Sequence, residues 1–253
     1  MHADLRRLLA RLGEPPADTD DDTHDDTDSA CGDGAGTSDA DALVQAWRAL
    51  AQPQALQPGD LVRWKRSATG LCLANRTCPT ADELAVVVEV LPQPVLLQGA
   101  GVDAGTPNWL EPLDLRLGVI DEDGDFLIYH YHSARFAKVP LRQARSQVAQ
   151  QLQSLQATLS TTHHFEPGMT VRWKPRMRNR LCPGQGQLAV VLEVLDPPVH
   201  DPSANAGTPT FREPLDLVLG VMVKGQLMRM HADSHRFEPV PTTDPADPRQ
   251  DAA

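Results

Sequence analysis

Pro58-Gly59-Asp60-Leu61-Val62-Arg63-Trp64-Lys65 returns later in the chain as Pro167-Gly168-Met169-Thr170-Val171-Arg172-Trp173-Lys174, and this recurrence governs how the rest of the sequence is read. Working outward from it, Asn75-Arg76-Thr77-Cys78-Pro79 returns as Asn179-Arg180-Leu181-Cys182-Pro183. Leu84-Ala85-Val86-Val87-Val88-Glu89-Val90-Leu91 returns as Leu188-Ala189-Val190-Val191-Leu192-Glu193-Val194-Leu195. Glu111-Pro112-Leu113-Asp114-Leu115 returns as Glu213-Pro214-Leu215-Asp216-Leu217, and Ser133, Arg135 and Phe136 return as Ser234, Arg236 and Phe237. The order is the same throughout. One unit occurs twice, and self-similarity of this kind fixes architecture before any single motif does.

Each copy reads as a row of short strands. After the Pro-Gly turn, Val62 and Trp64 (Val171 and Trp173) alternate with Arg63 and Lys65 (Arg172 and Lys174). A period of two places the apolar pair on one face and the basic pair on the other. Val-rich strands are expected at 85–91 and 189–195, with further strands at 113–120 and 215–222. Asp121-Glu122-Asp123-Gly124-Asp125 and Lys224-Gly225-Gln226 are hairpin signals, because glycine supplies the positive φ of a tight reversal. Strands at 126–132 and 227–231 follow. A helical turn at 133–136 or 234–237 comes next, before a last short strand.

This order (strand, long loop, strand, loop, strand, tight hairpin, strand, single helical turn, strand), together with the Pro-Gly-Asp-Leu-Val opening, resembles an SH3-like barrel, the family that includes KOW-type domains. The resemblance implies a mainly β fold of two tandem five-stranded barrels, at 54–140 and 165–241, closed around Trp64 and Trp173. It carries no ligand with it, since fold does not determine function.

The formal charge of −11 has one origin. Glu14 to Asp41 contains eleven acidic residues and no Lys or Arg, and without it the remaining 23 acids balance the 23 basic residues. Large apolar side chains are almost absent there, so burial cannot offset the roughly 1–2 kcal/mol per residue of backbone ordering, and a disordered acidic linker is expected over 14–41. It solubilises the chain or competes with an external ligand for a basic surface.

Three helical pieces are expected outside the barrels. Leu5, Leu8, Leu9 and Leu12 share one face of a helix in 1–13, and Leu43, Val44, Trp47 and Leu50 one face of a short helix in 42–53, capped by Ser38 or Asp39. Val148, Leu152, Leu155 and Leu159 form a heptad-like stripe in a linker helix within 141–164. That stripe is too short for a coiled coil on its own. It is expected to pack on a barrel or the other helices, with a weak dimer through 141–159 as the competing outcome. Helical throughout, it would hold the barrels apart. Residues 242–253 read as a disordered tail.

Basic residues cluster at matching places: Arg63, Lys65 and Arg76 in the first copy, Arg172, Lys174, Arg176, Arg178 and Arg180 in the second. Together with Trp109 and Phe211, which occupy matching loop positions, they are the candidate partner-binding residues. The expected function is non-catalytic: a bivalent adaptor recognising a protein partner, with nucleic-acid binding through the same basic loops as the alternative. His231, Asp233 and His235 are a weaker metal-binding alternative, because i, i+2 and i+4 share a face only while the strand continues. Arg135 and Arg236 are charge-matched to Glu89 and Glu193. No catalytic residues are expected, since P-loop, dinucleotide, nucleophile-elbow and zincin patterns are missing, and no cofactor is expected. Cys78 and Cys182 match without a second cysteine at metal-ligand spacing. No apolar run approaches the roughly eighteen residues a bilayer needs. The opening Met1-His2-Ala3-Asp4-Leu5-Arg6-Arg7 carries no apolar export segment. A cytoplasmic protein is therefore expected, with no membrane partner.

Overall fold

The two Val-rich segments each form the long second strand of a five-stranded antiparallel sheet. The computed structural model describes residues 38–97, 103–140 and 146–241, all within the compact unit Thr37–Ala253. The readings for 1–13, for 242–253 and for the linker up to residue 37 lie outside the described residues; the end of the 14–41 linker reading is corrected, because Asp39, Ala40 and Asp41 form the first turn of a helix capped by Ser38. Helix α1 (Asp39–Ala51) is followed by β1 (Leu61–Trp64), β2 (Ala85–Leu96), β3 (Pro112–Ile120), β4 (Phe126–Tyr131), a 3-10 turn (Ser133–Arg135) and β5 (Phe136–Lys138). Helix α2 (Gln147–Ser160) then leads into β6 (Thr170–Trp173), β7 (Ala189–Val199), β8 (Leu215–Val223), β9 (Gln226–Ala232), a 3-10 turn (Ser234–Arg236) and β10 (Phe237–Pro239).

Sheet I has the order β4-β3-β2-β1-β5 and sheet II the order β9-β8-β7-β6-β10. Neither closes, which corrects the SH3-like, KOW-like barrel reading. Closure needs both edge strands to pair with each other at a consistent tilt and stagger. Here β5 has three residues, all in register with β1 (Val62 opposite Lys138, Trp64 opposite Phe136), and β4 pairs only with β3. The strand order in sequence is the same for an open and a closed meander, so it could not distinguish them.

The duplication extends to detail. Register breaks fall between Val87 and Glu89 in β2 and between Val191 and Glu193 in β7. The inner faces carry matched cores, Val62, Trp64, Val87, Leu115, Leu117 and Phe136 against Val171, Trp173, Val191, Leu217, Leu219 and Phe237. Trp64 stacks on Phe136 at 4.3 Å and Trp173 on Phe237 at 4.1 Å, and each indole N–H donates to a proline carbonyl, Pro79 or Pro183, at 2.8 Å. Burying such rings contributes a few kcal/mol each.

The repeated unit also includes a helix. Buried Lys65 donates from Nζ to the carbonyls of Ala49 and Gln52 at the end of α1, 16 and 13 residues back. Buried Lys174 does the same to Thr158 and Thr161 at the end of α2, at the same two separations, and adds the His235 carbonyl. A cation here satisfies carbonyls that helix geometry leaves without partners and complements the negative end of the dipole. Burial lowers the pKa of both lysines. Each sheet is therefore preceded by a helix anchored in the same way.

The helices differ in what they cover. Ala149, Leu152, Leu155 and Leu159 of α2 are buried against the outer face of sheet I, in a cluster with Leu61, Val86, Phe126, Ile128, Val139 and Met177. This is the core between the repeats. Leu152, Leu155 and Leu159 of the stripe read as a possible dimer seam are thus occupied within the chain, while Val148 stays exposed, and α2 packs the repeats together instead of spacing them.

Candidate functional site

A buried polar node recurs beside each 3-10 turn. In the first repeat Arg135 Nε donates to Glu111 at 2.5 Å, Asn75 Nδ2 to Glu111 at 2.8 Å, and Arg135 Nη1 to the Leu73 carbonyl at 3.1 Å. In the second, Arg236 Nε donates to Glu213 at 2.9 Å, Asn179 Nδ2 to Glu213 at 2.5 Å, and Arg236 Nη1 to the Met177 carbonyl at 2.9 Å. Asp114 and Asp216 cap the turns, each accepting from the backbone N–H of a serine, Ser133 or Ser234, at 2.7 Å and from its hydroxyl at 2.6 Å. Burial pushes Asp114 up, but His132 at 3.5 Å and the hydrogen bonds from Ser133 outweigh it and leave the carboxyl below its ordinary pKa. The pairing of Arg135 with Glu89 and Arg236 with Glu193 is corrected. Glu89 pairs at 2.7 Å with Arg116, its cross-strand neighbour on β3, and Glu193 of β7 pairs at 2.6 Å with Arg229 of β9, reaching past the intervening β8.

Arg236 also reaches across the repeats, donating from Nη1 to the Phe126 carbonyl at 3.0 Å. The Phe126 N–H donates to the Arg176 carbonyl at 2.7 Å, Arg178 pairs with Asp125 at 3.3 Å, and Arg76 donates to the Ala206 carbonyl at 2.8 Å. Phe211 sets its ring edge-on to His130 at 5.2 Å. Burial, and then the charges of Arg116, Arg212, Arg76 and His200, push the His130 pKa down to about 3.

Most of the basic residues singled out in the sequence are thus engaged inside the chain. Lys65 and Lys174 cap helices, Arg76 and Arg178 join the repeats, and Arg180 pairs with buried Glu213 at 2.6 Å. Arg172 forms an exposed pair with Glu238 at 2.7 Å, Arg63 lies half-buried in β1, and Arg176 is exposed at φ 62°. Phe211 lies against His130, whereas its counterpart Trp109 remains 42% exposed.

The histidine group does not assemble. Asp233 is buried, accepting from the His235 N–H at 3.0 Å and pairing with His235 Nδ1 at 2.9 Å, while His231 stays exposed on β9. Burial pushes Asp233 up, but its bonds with His235 and the charge of Arg236 keep its pKa low, and the same pair raises His235. Among the described residues no three His, Cys, Asp or Glu side chains come together as a cation site. The turn at Ser234 is the physical reason, since it ends the shared strand face.

What remains is apolar and uncovered. The outer face of sheet II, equivalent to the face that sheet I buries under α2, exposes Leu188, Leu192, Met222 and Leu227, the last by 59%. Beside it lies a cleft of about 560 Å³ lined by Arg180, Val199, His200, Arg229 and His231. Helix α1 buries none of its residues, leaving Leu43 at 71% and Trp47 at 66% exposure. Sequence reading found the α1 stripe but missed that α1 is the counterpart of α2, for which the signal was that Ala40, Leu43 and Leu50 stand where Ala149, Leu152 and Leu159 stand in the second helix.

No family model, curated protein or solved structure matches the chain. Among the described residues no helix is long and apolar enough to cross a membrane.

Proposed function

We infer that this is a non-catalytic, bivalent protein-binding module whose contact surfaces are the apolar face of sheet II with its adjoining cleft and the apolar stripe of α1. One observation carries this reading: the sheet face that packs under α2 in the first repeat exposes Leu188, Leu192, Met222 and Leu227 in the second, with Arg229 at the place of Ile128. Exposed apolar patches larger than scattered single side chains mark interaction sites. The two surfaces differ from each other, so bivalence here means two unlike contacts. Five of the eight basic side chains named as a nucleic-acid interface, Lys65, Arg76, Lys174, Arg178 and Arg180, are bonded to carbonyls and carboxylates of the chain itself, which supports the protein-partner reading.

The test places a photoreactive side chain at Leu227 in the full chain, in the cells that make it. A discrete protein adduct that disappears when Leu192 is changed to Asp is the expected result. Labelling by solvent alone, or an adduct indifferent to Leu192→Asp, would overturn the reading.

A further inference from the structure

This inference rests on the protein-binding reading and names the partner. We propose that the chain associates head to tail with a second copy of itself, α1 of one copy covering the outer face of sheet II of the next. The template is inside the molecule, where α2 covers the outer face of sheet I.

Three correspondences support it. First, Lys65 and Lys174 hold their helices at the same two positions, so α1 is presented by the first repeat as α2 is by the second. Leu43 then stands in the place of Leu152, which is buried, while Leu43 itself is 71% exposed. Second, the β8–β9 register puts Leu227 opposite Met222, as the β3–β4 register puts Phe126 opposite Ile120. Leu227 therefore occupies on sheet II the place Phe126 occupies in the buried core between the repeats, and its carbonyl is the counterpart of the one that accepts from Arg236. Arg135, the counterpart of Arg236, sits at the matching node of the first repeat. Third, Trp109 and His231 are exposed counterparts of Phe211 and His130, which meet at 5.2 Å within the chain.

Among the described residues these surfaces do not meet within one chain, and Leu43, Trp109, Leu227 and His231 are all exposed. An interface in which different patches meet closes into a ring or continues as a filament. The contact is weaker than its internal template. The Asp125–Arg178 pair has no counterpart, because Gln226 and Ala74 hold those places. The loop after Lys65 is also longer than that after Lys174 and folds on itself through an Arg66–Cys72 bridge. Association in the micromolar range is expected.

Sedimentation velocity of the full chain from about 1 to 200 µM, the range in which such contacts dissociate, tests the proposal. The wild type is expected to gain mass with concentration. The double variants Leu43→Asp/Ala46→Asp, at the places of the buried Leu152 and Leu155, and Met222→Asp/Leu227→Asp are each expected to be monomeric, and circular dichroism matching the wild type shows that they fold. Mixed one to one they are expected to form a heterodimer and nothing larger, because each keeps the surface the other lacks. Should either double variant fail to fold, Trp109→Ala and His231→Ala replace them and are expected to weaken association at least tenfold. A wild type monomeric at every concentration, or variants that do not complement, would overturn it. A monomer whose Leu227 adduct contains another protein removes this proposal and leaves the protein-binding reading standing. An adduct within the same chain, to residues preceding Ser38, removes both.

Discussion

Arg236 Nη1 bonds the Phe126 carbonyl at 3.0 Å, so the buried arginine of the second repeat is tied to the first residue of β4 in the first. The same side chain holds Glu213 at 2.9 Å, and both are almost wholly buried. Replacing Arg236 by Met leaves that carboxylate with Asn179 and Arg180 only, and strands the Phe126 carbonyl. Breaking a buried pair from one side costs about 3–5 kcal/mol. Arg135→Met is expected to cost less, since its side chain is partly exposed and makes no bond between repeats. Urea unfolding of both variants checks the order, and an Arg135 variant as damaged as the Arg236 variant would contradict it.

The two capping lysines separate local from global stability. Lys174→Met removes the ammonium donor from two carbonyls at the end of a helix whose stripe is core and from the His235 carbonyl in the 3-10 turn. A cost of about 2–4 kcal/mol is expected, with a lower melting temperature. Lys65→Met frees α1, which buries none of its residues, so the loss is limited to the local unfolding free energy of that helix. Amide exchange in α1 should quicken while the melting temperature barely moves.

How much of this was legible in the sequence follows from particular residues. The alternation around Val62 and Trp64 and the hairpin at Gly124 gave the strands and their order. Closure was not legible, because it depends on whether three residues of β5 find a second neighbour. The helix belonging to each repeat was hidden because Trp47 stands where Gln156 stands and Val44 where Gln153 stands. Only Ala40, Leu43 and Leu50 keep their type in the second helix. The positive charge of the loop was visible, but its destinations were not, since Lys174 finds His235 across 61 residues and Arg178 finds Asp125 across 53.

His130 makes stability depend on pH in a window set by its depressed pKa. Above about pH 6.5 the ring is neutral in both states and the stability is complete. Below that the unfolded chain takes a proton that the folded site refuses until about pH 3, so stability falls as pH falls. One proton corresponds to a slope of about 1.4 kcal/mol per pH unit. His130→Phe, which preserves a ring beside Phe211, should remove that slope between about pH 6 and 4.5 relative to the wild type. Equal slopes in the two proteins would show that the imidazole protonates in the fold.

Glycine at one sheet position distinguishes the covered face from the bare one. A Cβ on Gly118 would lie 2.0 Å from the Phe126 ring, which is fixed between β3 and the core shared with α2 and Met177. The ring has nowhere to turn, so Gly118→Ala forces strand and core apart at a cost of about 3 kcal/mol or more. A Cβ on Gly220, its counterpart, meets only the tips of Val190, Leu227 and Leu192 at 3.0 to 3.2 Å. Leu227 and Leu192 border solvent and give way readily, and half-buried Val190, the nearest at 3.0 Å, has only a few tenths of an ångström to move, so Gly220→Ala should cost about 1 kcal/mol. Two substitutions of the same chemistry at the same place in a repeat thus report whether the face beneath is occupied. Comparable losses in chemical unfolding of the monomer would mean that Leu227 is as firmly held as Phe126, and that the second sheet is not bare.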